Sequence, residues 1–428
     1  MKTSGSAVGK NRVIKERGKI DNYVPFGHVD GYYSERIGSC NLLIFSNMKS
    51  KSIFLFFVAL VFSAYSCSPK GAGSVSEVIV NGSTMFVFSL NSLKSDTATI
   101  PLSSLVEDCS LVQLETNDDA FFRPWFTTVT EKYIGIRQQG GRPYMLFERS
   151  GKFKGAVGSK GQGPGEYSGS LYDDIIDEKN ELIYLAPFFS DKILVYKTSG
   201  EFVKNINTPQ RMMKPKIFLS DNTLTVLHMP YKDDRAMVVQ YDVNSGEILK
   251  ELPPPSHFIV QNADGEIFNT RYSSEIFDFV HTGSDTLYHF DVKKNKIEPL
   301  FAMTFDSSEK PYKQYYQMNK DLFLTNVFGR GLVATDLKNK TSSWIKVVND
   351  YYGNMPSPTY IVQIRNGYWV HNVQPEQLME DIENRLAQRN CTEEDKQVLN
   401  KTLSKLKENE NNVVFIGKLK KEINAKLW

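Results

Sequence analysis

The chain has 428 residues, 41% hydrophobic and 23% charged, with 28 Gly and 18 Pro, which excludes a collagen, a coiled coil and a mainly disordered chain. Its 51 basic and 49 acidic side chains leave +2, too even to draw in nucleic acid through bulk electrostatics. Aromatic residues reach 12%, with 27 Phe and 21 Tyr, a bias towards strands.

Residues 1–47 are basic and unpatterned up to about Ser39 and read as an over-extended N-terminus before a true start at Met48. The alternative is a cytoplasmic tail on a signal anchor. In residues 48–66, Lys49 and Lys51 precede an apolar run over 53–65, the order of a secretory signal peptide. The run is too short to span a bilayer comfortably. Ala64-Tyr65-Ser66-Cys67 resembles the lipobox of bacterial lipoproteins, with Ala64 in place of the usual Leu. The resemblance implies that Cys67 is diacylated and becomes the first residue of a membrane-anchored chain, several acyl chains giving stable attachment. Residues 67–75 have the small, flexible composition of a tether. They carry no acidic residue after Cys67, unlike the surface-export signal of Bacteroidetes lipoproteins, so a cell-envelope location on the periplasmic side is favoured over the cell surface. Beyond Cys67, Cys109 and Cys391 either pair or remain buried free thiols; neither CxxC nor a metal-ligand spacing occurs.

An internal period follows. The stretches LFERSGKF (146–153), VYKTSGEF (195–202), YDVNSGEI (241–248), FDVKKNKI (290–297) and ATDLKNKT (334–341) each leave an apolar strand through a polar turn. Gly151, Gly200, Gly246, Asn295 and Asn339 hold the positions that tolerate positive φ, at spacings of 49, 46, 49 and 44 residues. That period matches one four-stranded blade of a β-propeller. Residues 182–185, 224–227 and 286–290 supply further strands. Five turns define five blades, and a sixth is expected to close from the two ends, with 76–80 and 413–419 as its strands. Residues 76–428 are thus expected to be all-β, a six-bladed β-propeller, monomeric.

A small helical insertion is expected at 374–409, near the C-terminus. Leu378, Met379, Ile382 and Leu386, then Val398, Leu399, Leu403 and Leu406, recur at helical spacing, and Thr392-Glu393-Glu394-Asp395 is a capping signal.

One motif is sharp. Gly161, Gln162, Gly163, Pro164, Gly165, Glu166 and Tyr167 make a glycine-rich loop. A phosphate-binding reading fails, because no GK[ST] follows, GxGxxG spacing is absent and Glu166 puts negative charge at the mouth. The loop is read as structural, with Glu166 accepting backbone N–H bonds and Tyr167 anchoring the turn.

GKFKGAVGSKGQGPGEY resembles the six-bladed β-propeller lipoproteins of Bacteroidetes, which are similar to NHL-repeat propellers. IPLSSLVEDCSLVQLET (100–116), SDTLYHFD (284–291) and ENNVVFIGKLKKE (410–422) are similar to the same pattern. The resemblance implies a secreted or lipid-anchored propeller and carries over no catalytic residues.

Chemistry is scarce. The six histidines show no metal spacing, no GxSxG elbow occurs, and Asp173, Asp174, Asp177 and Glu178 read as a solvated acidic loop. Aromatic clusters at 121–126 and 312–316 serve either core packing or a stacking surface for sugar or peptide. The expected function is a non-enzymatic binding or scaffold module for an envelope protein, peptide or glycan, without cofactor, metal or nucleic acid. The alternative is an NHL-like hydrolase or lyase with a metal-dependent site in the channel.

Overall fold

The computed structural model describes residues 73–93, 96–231, 233–260, 265–269, 277–281, 284–305, 311–358 and 362–423. Cys67 and the segments 1–47 and 48–66 lie outside the described residues.

Short runs of β-branched and aromatic residues separated by turns build four-stranded antiparallel sheets in succession. Pro124–Val129, Tyr133–Gln138, Tyr144–Glu148 and Phe153–Val157 form one. The next uses Leu171–Asp177, Leu182–Pro187, Ser190–Lys197 and the first half of Phe202–Ser220. The second half of that 19-residue strand opens a further sheet with Thr223–Met229, Val238–Asp242 and Ile248–Leu252. Ile267–Asn269, Asp278–His281, Thr286–Asp291 and Lys296–Thr304 follow, then Lys313–Gln317, Leu322–Val327, Gly331–Asp336 and Thr341–Asn349. Finally Gln363–Arg365, Tyr368–Val373 and Val413–Lys418 pair with Ser110–Gln113 from far upstream.

Bonds between neighbouring sheets close a circle. Arg137 Nε lies 2.6 Å from Asp174 Oδ1; Ile217 N donates to Asp173 Oδ2 at 2.9 Å; Lys214 Nζ donates to Gly265 O. Tyr315 Oη donates to Asp285 O at 2.7 Å, Tyr316 Oη to Val362 O at 3.3 Å, and Thr127 N to Gln363 Oε1 at 2.8 Å. The arrangement is propeller-like, with apolar layers between successive sheets in place of one central core. Leu146 and Val157 face Leu171 and Leu194 across one layer, Val195 faces Ile217 and Val226 across the next, and Phe218 meets Phe277 beyond it. Each such side chain gains about 1.5–3 kcal/mol on burial.

The closing strand differs from expectation. Val413 pairs with Gln113 and Ile416 with Ser110, so the upstream partner is Ser110–Gln113, not 76–80. Four residues, two of them polar, carry too little alternation to announce a strand. Gly73–Val80 instead forms a hairpin with Ser83–Ser89, which runs parallel to the outermost strand Lys296–Thr304; Thr97–Pro101 does the same on Thr341–Asn349. The upstream segment therefore covers two outer sheet edges that would otherwise stand unpaired. The strand begins at Gly73, inside the stretch read as tether.

Of the turn residues, Gly151, Gly200, Gly246 and Asn295 have positive φ as expected. In the fifth turn the left-handed residue is Lys340, at φ +55°, and not Asn339. Asn339 instead donates its backbone N to Asp336 Oδ1 at 3.1 Å, the same bond that Ser245 makes to Asp242 and Lys294 to Asp291, so in all three turns the left-handed residue is the fourth after the aspartate, which in the fifth turn is Lys340.

The insertion contains α1 (Pro375–Leu386) and α2 (Glu393–Leu403). Thr392 and Asp395 form a reciprocal capping box. Arg385, 4% exposed, bonds Gly353 O and Asp395 Oδ2, both at 2.9 Å, clasping the two helices to the sheet connection. Leu378, Ile382 and Leu399 are buried in the layer they share with Trp369 and Phe415. Cys391 is buried against the same layer, Cys109 is half-buried, and both are free thiols.

His371 is expected to make the fold acid-sensitive. It is 6% exposed, stacks on Phe415 at 5.8 Å, and burial pushes its imidazole from 6.5 down to about 4. Between those values the unfolded chain takes up a proton that the folded chain refuses, so stability falls as pH drops from 6.5 towards 4. The full window is worth about 3 kcal/mol. His371→Leu is expected to flatten that part of a stability-versus-pH curve measured by denaturant unfolding, and an unchanged slope would refute the assignment.

Candidate functional site

In an antiparallel sheet, the start of the first strand and the turn between the second and third lie at one end. One end of the ring therefore gathers the segments before Pro124, Leu171 and Lys313 together with turns such as 188–189. Phe188 N donates to Ser170 O at 2.8 Å and Phe328 N to Tyr312 O at 2.9 Å, tying these loops together. Phe121, Phe189 and Tyr312, the exposed large aromatics among the described residues, all belong to this end.

An aromatic row leads from the ring interior to that surface. Trp125 meets Tyr172 edge-on at 5.1 Å, Tyr172 packs on Phe188 at 5.2 Å, and Phe188 lies 6.3 Å from Phe189. Trp125 and Tyr172 are 7% and 6% exposed, whereas Phe189 is 49% exposed with the Arg211 guanidinium 5.3 Å over its ring. Phe189 also has φ +49°. That left-handed backbone costs an L residue about 1–2 kcal/mol, and hairpin turns normally place Gly or Asn there. The clusters at 121–126 and 312–316 split between roles: Trp125, Tyr315 and Tyr316 are buried, Phe121 and Tyr312 exposed. Phe188 and Phe189 were not singled out by sequence; the available signal was two Phe where a turn residue is expected.

The glycine-rich loop lies beside this row. Gly163 N donates to Glu166 Oε2 at 2.8 Å, Tyr167 Oη to Arg142 O at 3.0 Å, and Tyr196 Oη to Gly165 O. Gly165 has φ +72°, and a Cβ on it would come within 2.7 Å of the Phe202 ring. A side chain there is excluded on both counts. Gly161 N donates to Tyr167 O at 3.1 Å, so the loop is held by its own backbone while Gln162 stays exposed, and it continues through Ser170, whose carbonyl accepts from Phe188 N.

Beneath the row is an ionic knot. Asp173 and Asp174 are 1% and 0% exposed, so they are not the solvated loop expected from sequence; they stand on the first strand of their sheet. The register shifts between Leu171 and Asp173, and the two carboxylates that follow share the Arg137 and Arg365 guanidinium groups. Asp174 Oδ1 forms an ion pair with Arg137 Nε across 2.6 Å, and Oδ2 accepts from Tyr144 Oη at 2.9 Å. Asp173 Oδ1 lies 2.8 Å from Arg365 Nη2, which reaches across from the sheet that closes the ring. Burial opposes the Arg137 charge, and Asp174 and Asp173 sustain it. Lys216, 7% exposed, donates to Tyr172 O at 3.4 Å, its ammonium 5.2 Å over the Tyr172 ring. Burial pushes that ammonium down to about 8 against the pull of Glu266 and Asp173.

At the opposite end, where first strands finish, a cleft of about 370 Å³ is lined by Val129, Glu131, Ile175, Glu178, Leu219 and Tyr368 among others. Its acids are engaged: Glu131 bridges Lys418 at 2.8 Å and Glu178 accepts from Lys132 N at 2.5 Å. Among the described residues no group of three or more His, Cys, Asp and Glu is placed to hold a metal.

Residues 85–336 match the family described as Domain of unknown function (DUF4934). The chain belongs to that family. The matched DUF4934 segment starts in the strand Ser83–Ser89 and stops at Gly331–Asp336, so it includes the glycine-rich loop, Phe189 and, of the closing sheet, only Ser110–Gln113. No curated protein matches the sequence. Among solved structures, the DUF4934 chain is similar to a protein described as exported from Bacteroides fragilis NCTC 9343, at 15% identity and TM-score 0.53, over 76% of this chain and 100% of that one. A member of the duf4221 family from Bacteroides vulgatus ATCC 8482 gives 14% and 0.41, over 74% and 98%. A streptogramin B lyase gives 12% and 0.37, over 56% and 73%. At these identities the first likeness is one of fold.

Proposed function

We propose that this chain is an exported, cell-envelope β-propeller of six blades that binds a protein, peptide or glycan without catalysing a reaction. The six-blade reading is supported by six successive runs of four paired strands, the second and third sharing Phe202–Ser220 and the last completed by Ser110–Gln113. Export and a lipid anchor at Cys67, on the periplasmic side, rest on the sequence before residue 73 and on the exported description of the similar B. fragilis protein. The observation that carries the binding role is the aromatic row ending at exposed Phe189, held in an unfavourable backbone conformation. Strain at a displayed side chain points to use of that side chain. The catalytic alternative requires free carboxylates or histidines converging from several sheets. Here the central carboxylates, Asp173 and Asp174 on one strand and Glu266 just ahead of Ile267–Asn269, are held by arginines and by Lys214.

Two measurements test the reading. Intact mass of membrane-extracted protein is expected to show a chain starting at acylated Cys67, and Cys67→Ala is expected to move it to the soluble fraction; an unmodified Cys67 overturns the anchor. Thermal shift against peptide and oligosaccharide libraries is expected to raise Tm for at least one class, since a ligand that binds only the folded state stabilises it. Metal-dependent turnover of a lactone or glycoside with saturable kinetics would overturn the non-enzymatic reading.

A further inference from the structure

We propose that the surface formed by Phe189 and Arg211 is a glycan-binding site that takes a sugar ring bearing a carboxylate. This rests on the binding reading above and assigns its ligand class. Phe189 presents an exposed aromatic ring at a hairpin tip, and Phe188, Tyr172 and Trp125 behind it fix its position. A ring held by packing loses little freedom on stacking against the apolar face of a pyranose, so the contact is gained at small entropic cost. Arg211 supplies the second half of the recognition. It is exposed, its guanidinium lies 5.3 Å over Phe189, and it makes no ion pair with a described residue. A planar guanidinium beside an aromatic face suits a planar carboxylate, which it can grip through two parallel N–H bonds.

A hairpin tip separates this ligand class from a peptide strand. Peptides that bind by strand addition need a row of unpaired backbone groups along a sheet edge. The 188–189 turn has instead committed Phe188 N to Ser170 O, so side-chain chemistry is what it displays. The glycine-rich loop is the support: a Cβ on Gly169 would stand 3.1 Å from Phe188 O, so loop and turn are packed at backbone distance. The strained φ at Phe189 completes the argument, since glycine would make the same turn without strain but would present nothing to a ligand.

The test uses the full-length, detergent-extracted protein and isothermal titration with two matched probes. One is a hyaluronan tetrasaccharide, which alternates glucuronate and N-acetylglucosamine; the other is neutral chitotetraose. The native protein is expected to bind the acidic probe about tenfold more tightly than the neutral one. Phe189→Gly is expected to weaken binding of both by about tenfold or more while leaving Tm unchanged or raised, because glycine relieves the left-handed backbone. Arg211→Gln is expected to abolish the preference for the acidic probe. A lowered Tm in Phe189→Gly with unchanged binding would make Phe189 structural and overturn the proposal. Equal affinity for both probes, or binding of neither, would also overturn it. If an Asp/Glu-rich decapeptide binds in their place and loses affinity in the same variants, the glycan assignment fails while the binding reading stands.

Discussion

Asp174→Ala is expected to destabilise the protein by about 3–5 kcal/mol, the cost of breaking a buried pair by removing one partner. The Asp174 carboxylate is fully buried and touches Arg137 at 2.6 Å, Arg365 at 3.6 Å and Tyr144 at 2.9 Å. Its loss leaves two guanidinium groups to share Asp173 alone, an uncompensated positive charge in the middle of the ring. Arg365 belongs to the closing sheet and Arg137 to the sheet beginning at Pro124, so the effect is to loosen the junction where the ring is completed. Guanidinium-induced unfolding should show a lower midpoint with an unchanged slope. A loss below about 1 kcal/mol would mean that these charges behave as an exposed pair does. Replacing both Arg137 and Asp174 by apolar residues of similar volume is expected to cost less than Asp174→Ala alone, since neither charge is then stranded.

The second large effect is steric. Gly135→Ala would place a Cβ 1.7 Å from Tyr144 Oη and 2.5 Å from Cζ, distances no side chain tolerates. Tyr144 lies across Gly135 on the neighbouring strand and cannot simply swing away, because it is fully buried and donates to Asp174. Overpacking costs about 1–3 kcal/mol, and loss of a hydrogen bond to a charged group adds about 1.5–3 kcal/mol. A combined loss of about 3–5 kcal/mol is expected in thermal unfolding. Gly135→Ala combined with Tyr144→Leu should recover the steric part and leave the hydrogen-bond part. If the double variant is no more stable than Gly135→Ala, the clash is not what Gly135 avoids.

Local signals were legible in the residues themselves. Gly151, Gly200, Gly246 and Asn295 punctuate the chain where positive φ is needed, and Thr392 with Asp395 announces α2, because each depends on atoms a few residues apart. The fifth turn was placed one residue early: counted from its aspartate, as in the turns at Asp242 and Asp291, the left-handed residue is the fourth, Lys340. The candidate site was less legible. Asp173 and Asp174 look like any acidic surface pair, although the apolar neighbours Leu171, Tyr172, Ile175 and Ile176 on both sides were a hint of burial. Phe189 resembles a core residue until the turn it occupies is known.

By itself, then, the amino-acid sequence determined a repeating all-β chain with its turns, its helical insertion and its glycine-rich loop, because hydrogen bonding and hydrophobic alternation act over about ten residues. Tertiary structure alone decided that Ser110–Gln113 closes the ring, that Asp174 is buried against an arginine 191 residues away, and that Phe189 faces solvent. Whether a charge is buried or an aromatic exposed is set by partners that only the closed ring brings together, and no local pattern encodes them.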